Sequence, residues 1–172
     1  MHIRVVLLAG AIASVAAMLA PGAAQAVPAA ASGHPCAGGQ VLAWVGLSGR
    51  PGTARGVSVP LELSNTSGRT CWLSGYPGVV AVGPAGHQAV PRAGRKAGTH
   101  PHRVTLRPGQ TAHASLTIGS AKASCRVPVT AAAVRITPSG TRAAQRIGLV
   151  FRVCARHRTL TVGPVRAGTG IP

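Results

Sequence analysis

The sequence predicts an all-β domain, an antiparallel sandwich stapled by disulfides. Three observations carry that expectation. Short apolar runs alternate with polar residues at a period of two, the spacing of half-buried strands. Clusters of Gly, Pro, Asn and Ser punctuate the 172-residue chain at short intervals, and beyond the N-terminal leader no window keeps a helical period. The chain has four cysteines and no Cys-x-x-Cys pair, which in an exported protein reads as two disulfides rather than a metal or redox centre.

Export is read from the first residues. His2 and Arg4 precede an apolar run from Val5 to Leu19, which ends at Pro21-Gly22 and the small-residue site Ala24-Gln25-Ala26. This is the pattern of a signal peptide over 1–26. The run is shorter than the roughly 20 residues a membrane span requires, so the expected product is secreted, either free or associated with the cell wall. Residues 27–35 are mostly Ala, Pro, Ser and Gly with little to bury, and are expected to form a mobile arm. One domain over 36–164 should follow, with 165–172 as a disordered tail.

Within that domain Gln40 to Leu47 reads as a first strand, closed by Ser48-Gly49-Arg50-Pro51-Gly52. From Val57 to Asn65, Val57, Val59, Leu61 and Leu63 alternate with Ser58, Pro60, Glu62 and Ser64, which places Glu62 on a solvent face. Pro60 lacks a ladder donor and suggests an edge or a bulge. Asn65-Thr66-Ser67-Gly68 reads as a turn. Val79 to Val82 is a short strand after the corner Gly75-Tyr76-Pro77-Gly78. The segment from Gly83 to His102 is a long loop, of the kind that is either functional or mobile. Val104 to Leu106 leads to the turn Arg107-Pro108-Gly109-Gln110, and Thr111 to Ile118 should bury Ala112, Ala114, Leu116 and Ile118. Ala132, Val134 and Ile136 mark a strand from Ala131 to Thr137. Pro138-Ser139-Gly140 reverses the chain, and Ile147, Leu149, Phe151 and Val153 mark the returning strand. Leu160 and Val162 mark the last. The four large aromatics, Trp44, Trp72, Tyr76 and Phe151, sit where core packing accounts for them.

The cysteines allow three pairings. Cys36 precedes the first strand and Cys71 follows the second; Cys125 and Cys154 flank another expected hairpin. Antiparallel pairing brings the start of one strand beside the end of the next, which favours Cys36 with Cys71 and Cys125 with Cys154. Closing loops of that size contributes roughly 3 to 4 kcal/mol each in the chain-entropy picture. A single bridge between sheets, as in antibody domains, is the open alternative.

The pattern Leu-x-Leu-x-Asn-Thr-Ser-Gly-Arg-Thr-Cys-x-Leu-x-Gly-Tyr-Pro-Gly, ending at Gly78, resembles a family of secreted or lipid-anchored actinobacterial envelope proteins of unknown function. Leu106-Arg107-Pro108-Gly109, the four cysteines in order and Leu160-Thr161-Val162-Gly163-Pro164 extend the resemblance over nearly all of the mature chain. It implies an immunoglobulin-like β-sandwich and implies no enzymatic activity. The chain departs from that pattern in its extreme basicity.

Lys and Arg total 18 against a single acid, for a net charge of +17. Codon usage in a GC-rich genome explains Arg over Lys but not the scarcity of Asp and Glu. Such a charge attracts polyanions and repels further copies of the chain, so a monomer that meets an anionic cell-wall polymer is expected. With one carboxylate, Glu62, neither a carboxylate pair nor a Ser-His-Asp triad can be assembled, and the chain is read as a non-enzyme without a cofactor; a hydrolase is the lesser alternative. Arg92, Arg95, Lys96 and Arg103 form an acid-free basic segment, the candidate anion contact. His100 and His102 flank Pro101 and are weak candidates for copper or zinc, with His87 or His113 as further ligands. Specific nucleic-acid recognition would need a basic helix or an exposed aromatic platform and is not expected.

Overall fold

A computed structural model of the chain describes residues 33–46, 50–53, 56–88, 92–120, 125–155 and 157–170. The leader expected over 1–26 and most of the arm expected over 27–35 lie outside the described residues, as do residues 171–172.

Thirteen strands run in chain order among the described residues: β1 (His34–Pro35), β2 (Val41–Val45), β3 (Arg50–Thr53), β4 (Gly56–Asn65), β5 (Cys71–Ser74), β6 (Gly78–Val82), β7 (Gly94–Arg95), β8 (Arg103–Leu106), β9 (Thr111–Gly119), β10 (Pro128–Thr137), β11 (Gln145–Cys154), β12 (Leu160–Val162) and β13 (Arg166–Ala167). A 3₁₀ turn, Gly38–Gln40, precedes β2. The largest sheet has the order β2-β4-β9-β12-β7, with β3 on β4 and β13 on β9. A second has the order β11-β10-β6, and a third β1-β5-β8. The inner faces of all three meet in one apolar core. The fold is thus all-β, with packed sheets. The longer ladders are antiparallel, but β1 on β5 and β7 on β12 are parallel two-residue pairings, which the antiparallel expectation did not include.

Large and small residues alternate across the central ladder. Leu61 faces Ala114 and Leu63 faces Ala112 in the β4–β9 register, and all four are fully buried. Opposing a branched side chain to a methyl fills the interior without overpacking. Pro60 is neither on an edge nor at a bulge of this ladder, since it pairs with Ser115. Its carbonyl accepts the Gly46 amide at 2.9 Å. Carbonyl and nitrogen of one strand residue point the same way, so the missing donor is on the side of β4 where Gly46 follows β2.

Both disulfides join the pairs favoured from the sequence, Cys36–Cys71 and Cys125–Cys154. The first is anchored further by the Cys36 amide on the Trp72 carbonyl at 3.0 Å. In β10, Val134 and Ile136 are buried as expected, but Ala132 is only half-buried and Ala131 takes the inward place upstream. The register with β11 shifts between Ala131 and Ala133, and such a bulge exchanges the two faces of a strand.

Glu62 does not face solvent: it is fully buried. The C-terminal segment, expected to be a disordered tail, instead crosses the outer face of β4 and β9. It first joins the sheet, where β13 pairs Arg166 with His113 and Ala167 with Ala112. Beyond it the Gly168 carbonyl lies 3.0 Å from His113 Nδ1, and the Gly170 amide donates to Glu62 Oε1 at 2.8 Å. The arm is likewise corrected at its end, where His34 and Pro35 pair with Cys71 and Trp72. A Cβ on Gly170 would stand 2.6 Å from Pro60 Cβ and 3.1 Å from the His113 ring. Gly170→Ala should therefore lift the strap, break its bond to Glu62 and cost about 1 to 3 kcal/mol. Urea denaturation reads the loss, and hydrogen exchange should rise at 168–170; an unchanged exchange pattern would show that the strap does not depend on close approach.

Candidate functional site

The basic segment is built on the corner between two sheets. β5 belongs to the β1-β5-β8 sheet and β6 to the β11-β10-β6 sheet, so Gly75, Tyr76 and Pro77 carry the chain from one layer to the other. Gly75 has φ +96°, a conformation that disfavours any side chain. Its carbonyl accepts the Val165 amide at 2.9 Å, which fixes the corner against the strand end that precedes the C-terminal strap.

Tyr76 projects from this corner to hold the segment that follows β7. Its hydroxyl donates to the Thr99 carbonyl at 2.6 Å and lies 3.1 Å from Thr99 Oγ1. Thr99 Oγ1 in turn donates to the Lys96 carbonyl at 2.7 Å. The Lys96 amide donates to Val162 at 2.8 Å, and the Ala93 amide to Val79 at 2.9 Å. In its described parts the stretch from Gly83 to His102 is therefore a strap sewn to β6 and β12 and not a free loop; residues 89–91 lie outside the described residues.

Each cation expected to contact anions is exposed, and three of the four have a defined seat. The Arg95 guanidinium carbon stands 5.2 Å from the centre of the Tyr76 ring. That of Arg103 stands 4.3 Å from the centre of the Trp72 ring. Both distances are within the range of cation–π attraction, which contributes about 0.5 to 1 kcal/mol at exposed sites. Arg92 Nη2 lies beside Gly78, 3.6 Å from the place a Cβ would take. Lys96 has its backbone fixed and its side chain in solvent.

Two aromatics expected in the core are placed otherwise. Trp72 shares the outer face of β5 with Ser74, half-buried, while Cys71 and Leu73 point in. Trp44 is on the outer face of β2, 36% exposed, and its indole N–H donates to Ser64 Oγ at 3.3 Å. The platforms under Arg95 and Arg103 were not singled out from the sequence. A usable signal was present, since Trp72 alternates with Cys71 and Leu73 and must leave the core if those two enter it.

His100 and His102 are exposed, and among the described residues no group of three or more His, Cys, Asp or Glu is placed to hold a metal. His87 is exposed on the turn after β6, and His113 is engaged with the C-terminal strap. A cleft of about 380 Å³ lies between the β8–β9 turn and residues 167–169, lined by groups such as Thr105, Gln110 and Thr111. None of its lining residues is ionisable. No helix among the described residues is long and apolar enough to cross a membrane.

Packed sheets, two disulfides and an aromatic-seated band of cations define a disulfide-bonded all-β domain with a basic surface. Over residues 36–166 the chain matches the family described as a domain of unknown function, DUF4232, and it belongs to that family. The match begins at the first cysteine and reaches β13. No curated protein and no solved structure matches the chain.

Proposed function

We propose that this is a secreted, non-catalytic immunoglobulin-like module of the cell envelope that binds an anionic wall polymer through Arg92, Arg95, Lys96 and Arg103. The carrying observation is that these cations are exposed and mostly seated while the only carboxylate of the chain, Glu62, is buried under the C-terminal strap. No side-chain carboxylate is therefore available at the surface to neutralise them, and an external polyanion is the partner their charge selects. Seating Arg95 and Arg103 on rings lowers the side-chain entropy lost on binding. The spread of the histidines over β1, β9 and separate surface turns supports a binding role over a hydrolytic one.

Cells secreting the protein should release it on washing with high salt, and protein found wholly in the medium at low ionic strength would refute retention. Replacing the four cations together with Gln should lower the slope of log K against log salt for a linear polyanion by about 3, from roughly 0.7 per contact on a flexible strand. Retention assays on immobilised polyphosphate across a salt series provide the measurement, and a slope equal to that of the wild type would remove the site.

A further inference from the structure

A different basic feature lies on the outer face of the β11-β10-β6 sheet. Arg135 and Arg146 are directly opposite one another in the β10–β11 register, and both are exposed. Side chains so placed have Cβ atoms about 5 Å apart, and like charges in that relation are mutually destabilising. Arg135 is flanked on its other side by Val80 in β6, so no carboxylate adjoins it within the sheet. Elsewhere the single acid is buried on another sheet.

The third member comes from the strap. Gly78 pairs with Thr137, which is two residues from Arg135 and so on the same face, about 7 Å along the strand. Arg92 Nη2 and Thr137 Oγ1 both lie 3.6 Å from the position of a Gly78 Cβ. Arg146, Arg135 and Arg92, with the Thr137 hydroxyl, thus line one strip of the sheet face. Strand positions in a long ladder hold Arg135 and Arg146 rigidly, and Arg92 reaches them from the strap.

We propose that this strip is a chelating site for a tetrahedral oxyanion of the phosphate type, with Arg135 and Arg146 as the paired donors and Arg92 and Thr137 completing the cradle. Guanidinium is a planar fork that presents two parallel N–H groups to one anion. Two forks from directly opposed strand positions converge on a group that has oxygens in several directions, which phosphate offers and a planar carboxylate does not. Bridging by the anion also turns the Arg135–Arg146 repulsion into attraction. The inference rests on the reading that the protein meets anionic polymers, and it names phosphate as the group recognised; the same chemistry would come from a free phosphate or from a phosphate-bearing polymer.

The test uses the whole mature protein, with R135Q/R146Q set against R95Q/K96Q, which removes the same formal charge from the proposed polymer contact. Inorganic phosphate, sulfate and acetate are titrated at constant ionic strength, with the arginine Nε–H resonances as reporters. Phosphate and sulfate should saturate the wild type, acetate should not, and R135Q/R146Q should weaken phosphate at least tenfold while R95Q/K96Q changes it less than twofold. Equal weakening in both variants, equal competition by acetate, or no saturable binding by the wild type would overturn the site, since a diffuse field predicts those results. R146Q alone should melt higher than the wild type in chloride and lose the rise in Tm that phosphate gives the wild type. A lower melting temperature in chloride would show that the pair is not repulsive. Long-chain polyphosphate binding tighter than inorganic phosphate identifies a polymer as the source, and equal affinity a small anion. Retention of polyphosphate that survives R135Q/R146Q but not R95Q/K96Q/R103Q, which leaves Arg92 in place, sinks this inference and leaves the polymer reading standing. The reverse pattern sinks the loop reading.

Discussion

Replacing Cys36 and Cys71 together with Ala should cost about 4 kcal/mol, from the loop entropy released to the unfolded chain by a bridge of sequence separation 35. Against the roughly 5 to 15 kcal/mol that holds a typical domain together, this is a large fraction. It bears harder on this chain, whose net charge of +17 opposes the compact state. Both cysteines are in the core, at 2% and 0% exposure, so the bridge also fills volume that methyl groups would leave empty. Its removal leaves β1 attached by two register pairs and the backbone bond from residue 36 to the Trp72 carbonyl.

The second disulfide is a useful control because its separation of 29 is similar and its surroundings differ. Cys125 and Cys154 tie the start of β10 to the end of β11, two strands already joined by an extended ladder. Chain entropy alone predicts nearly equal losses for the two bridges. Residual hairpin structure in the unfolded chain should make removal of Cys125–Cys154 the milder change. Chemical denaturation of the two double-Ala variants separates the accounts. If the Cys36 and Cys71 variant loses less stability than the other, the core bridge is not the stronger of the two staples.

Where residues interact with near neighbours in sequence, the fold was legible. β9 keeps a strict alternation, with Ala112, Ala114, Leu116 and Ile118 inward. The Pro108-Gly109 turn has φ +76° at Gly109 and the Gln110 amide on the Arg107 carbonyl at 3.0 Å, features of a turn in which Pro presets one position and Gly the next. The misread positions depend on distant segments. Glu62 alternates correctly with Leu61 and Leu63, yet its face is covered by Gly170, 108 residues away. Ala132 is displaced by a bulge whose cause is the register with β11.

The candidate site shows the same division. Exposure of Arg92, Arg95, Lys96 and Arg103 followed from composition, because so many cations cannot be buried without partners. That Arg95 stands over Tyr76 required the strap to fold back onto the sheet corner, and that Arg103 stands over Trp72 required the pairing of β5 with β8. Trp72 and Arg103 are diagonal neighbours across the β5–β8 ladder, where Trp72 itself lies opposite Thr105. Only knowledge of that register could have joined them. The opposition of Arg135 and Arg146 is of the same kind, since each faces outward by its own alternation but only pairing makes them adjacent.

Asn65→Ala should be the most damaging polar substitution in the domain, at about 3 kcal/mol or more, because one buried side chain serves two turns at once and each lost partner costs about 1 to 3 kcal/mol. Its Nδ2 donates to the Arg69 carbonyl at 2.8 Å and the Leu106 carbonyl at 3.0 Å. Its Oδ1 accepts the Ser67 amide at 3.0 Å and the Ser67 hydroxyl at 2.7 Å. The Asn65 amide meets Gln110, and its carbonyl takes the Gly109 amide at 2.8 Å. The turn after β4 is thereby fastened to the turn between β8 and β9. Truncation leaves the buried Leu106 carbonyl without this donor. Asn65→Asp keeps the shape but turns the double donor into an acceptor, so a carboxylate would face two carbonyl oxygens. It should destabilise more than Asn65→Ala at pH 7 and less at pH 4, because the protonated acid can restore one donor. The same geometry buries the amide nitrogen of the Asn65-Thr66-Ser67 sequon, fully occupied in the folded state. Equilibrium unfolding of both variants at the two pH values checks this, and an Asp variant with the same stability relative to Asn65→Ala at both would show that the Nδ2 donors do not hold the turns together.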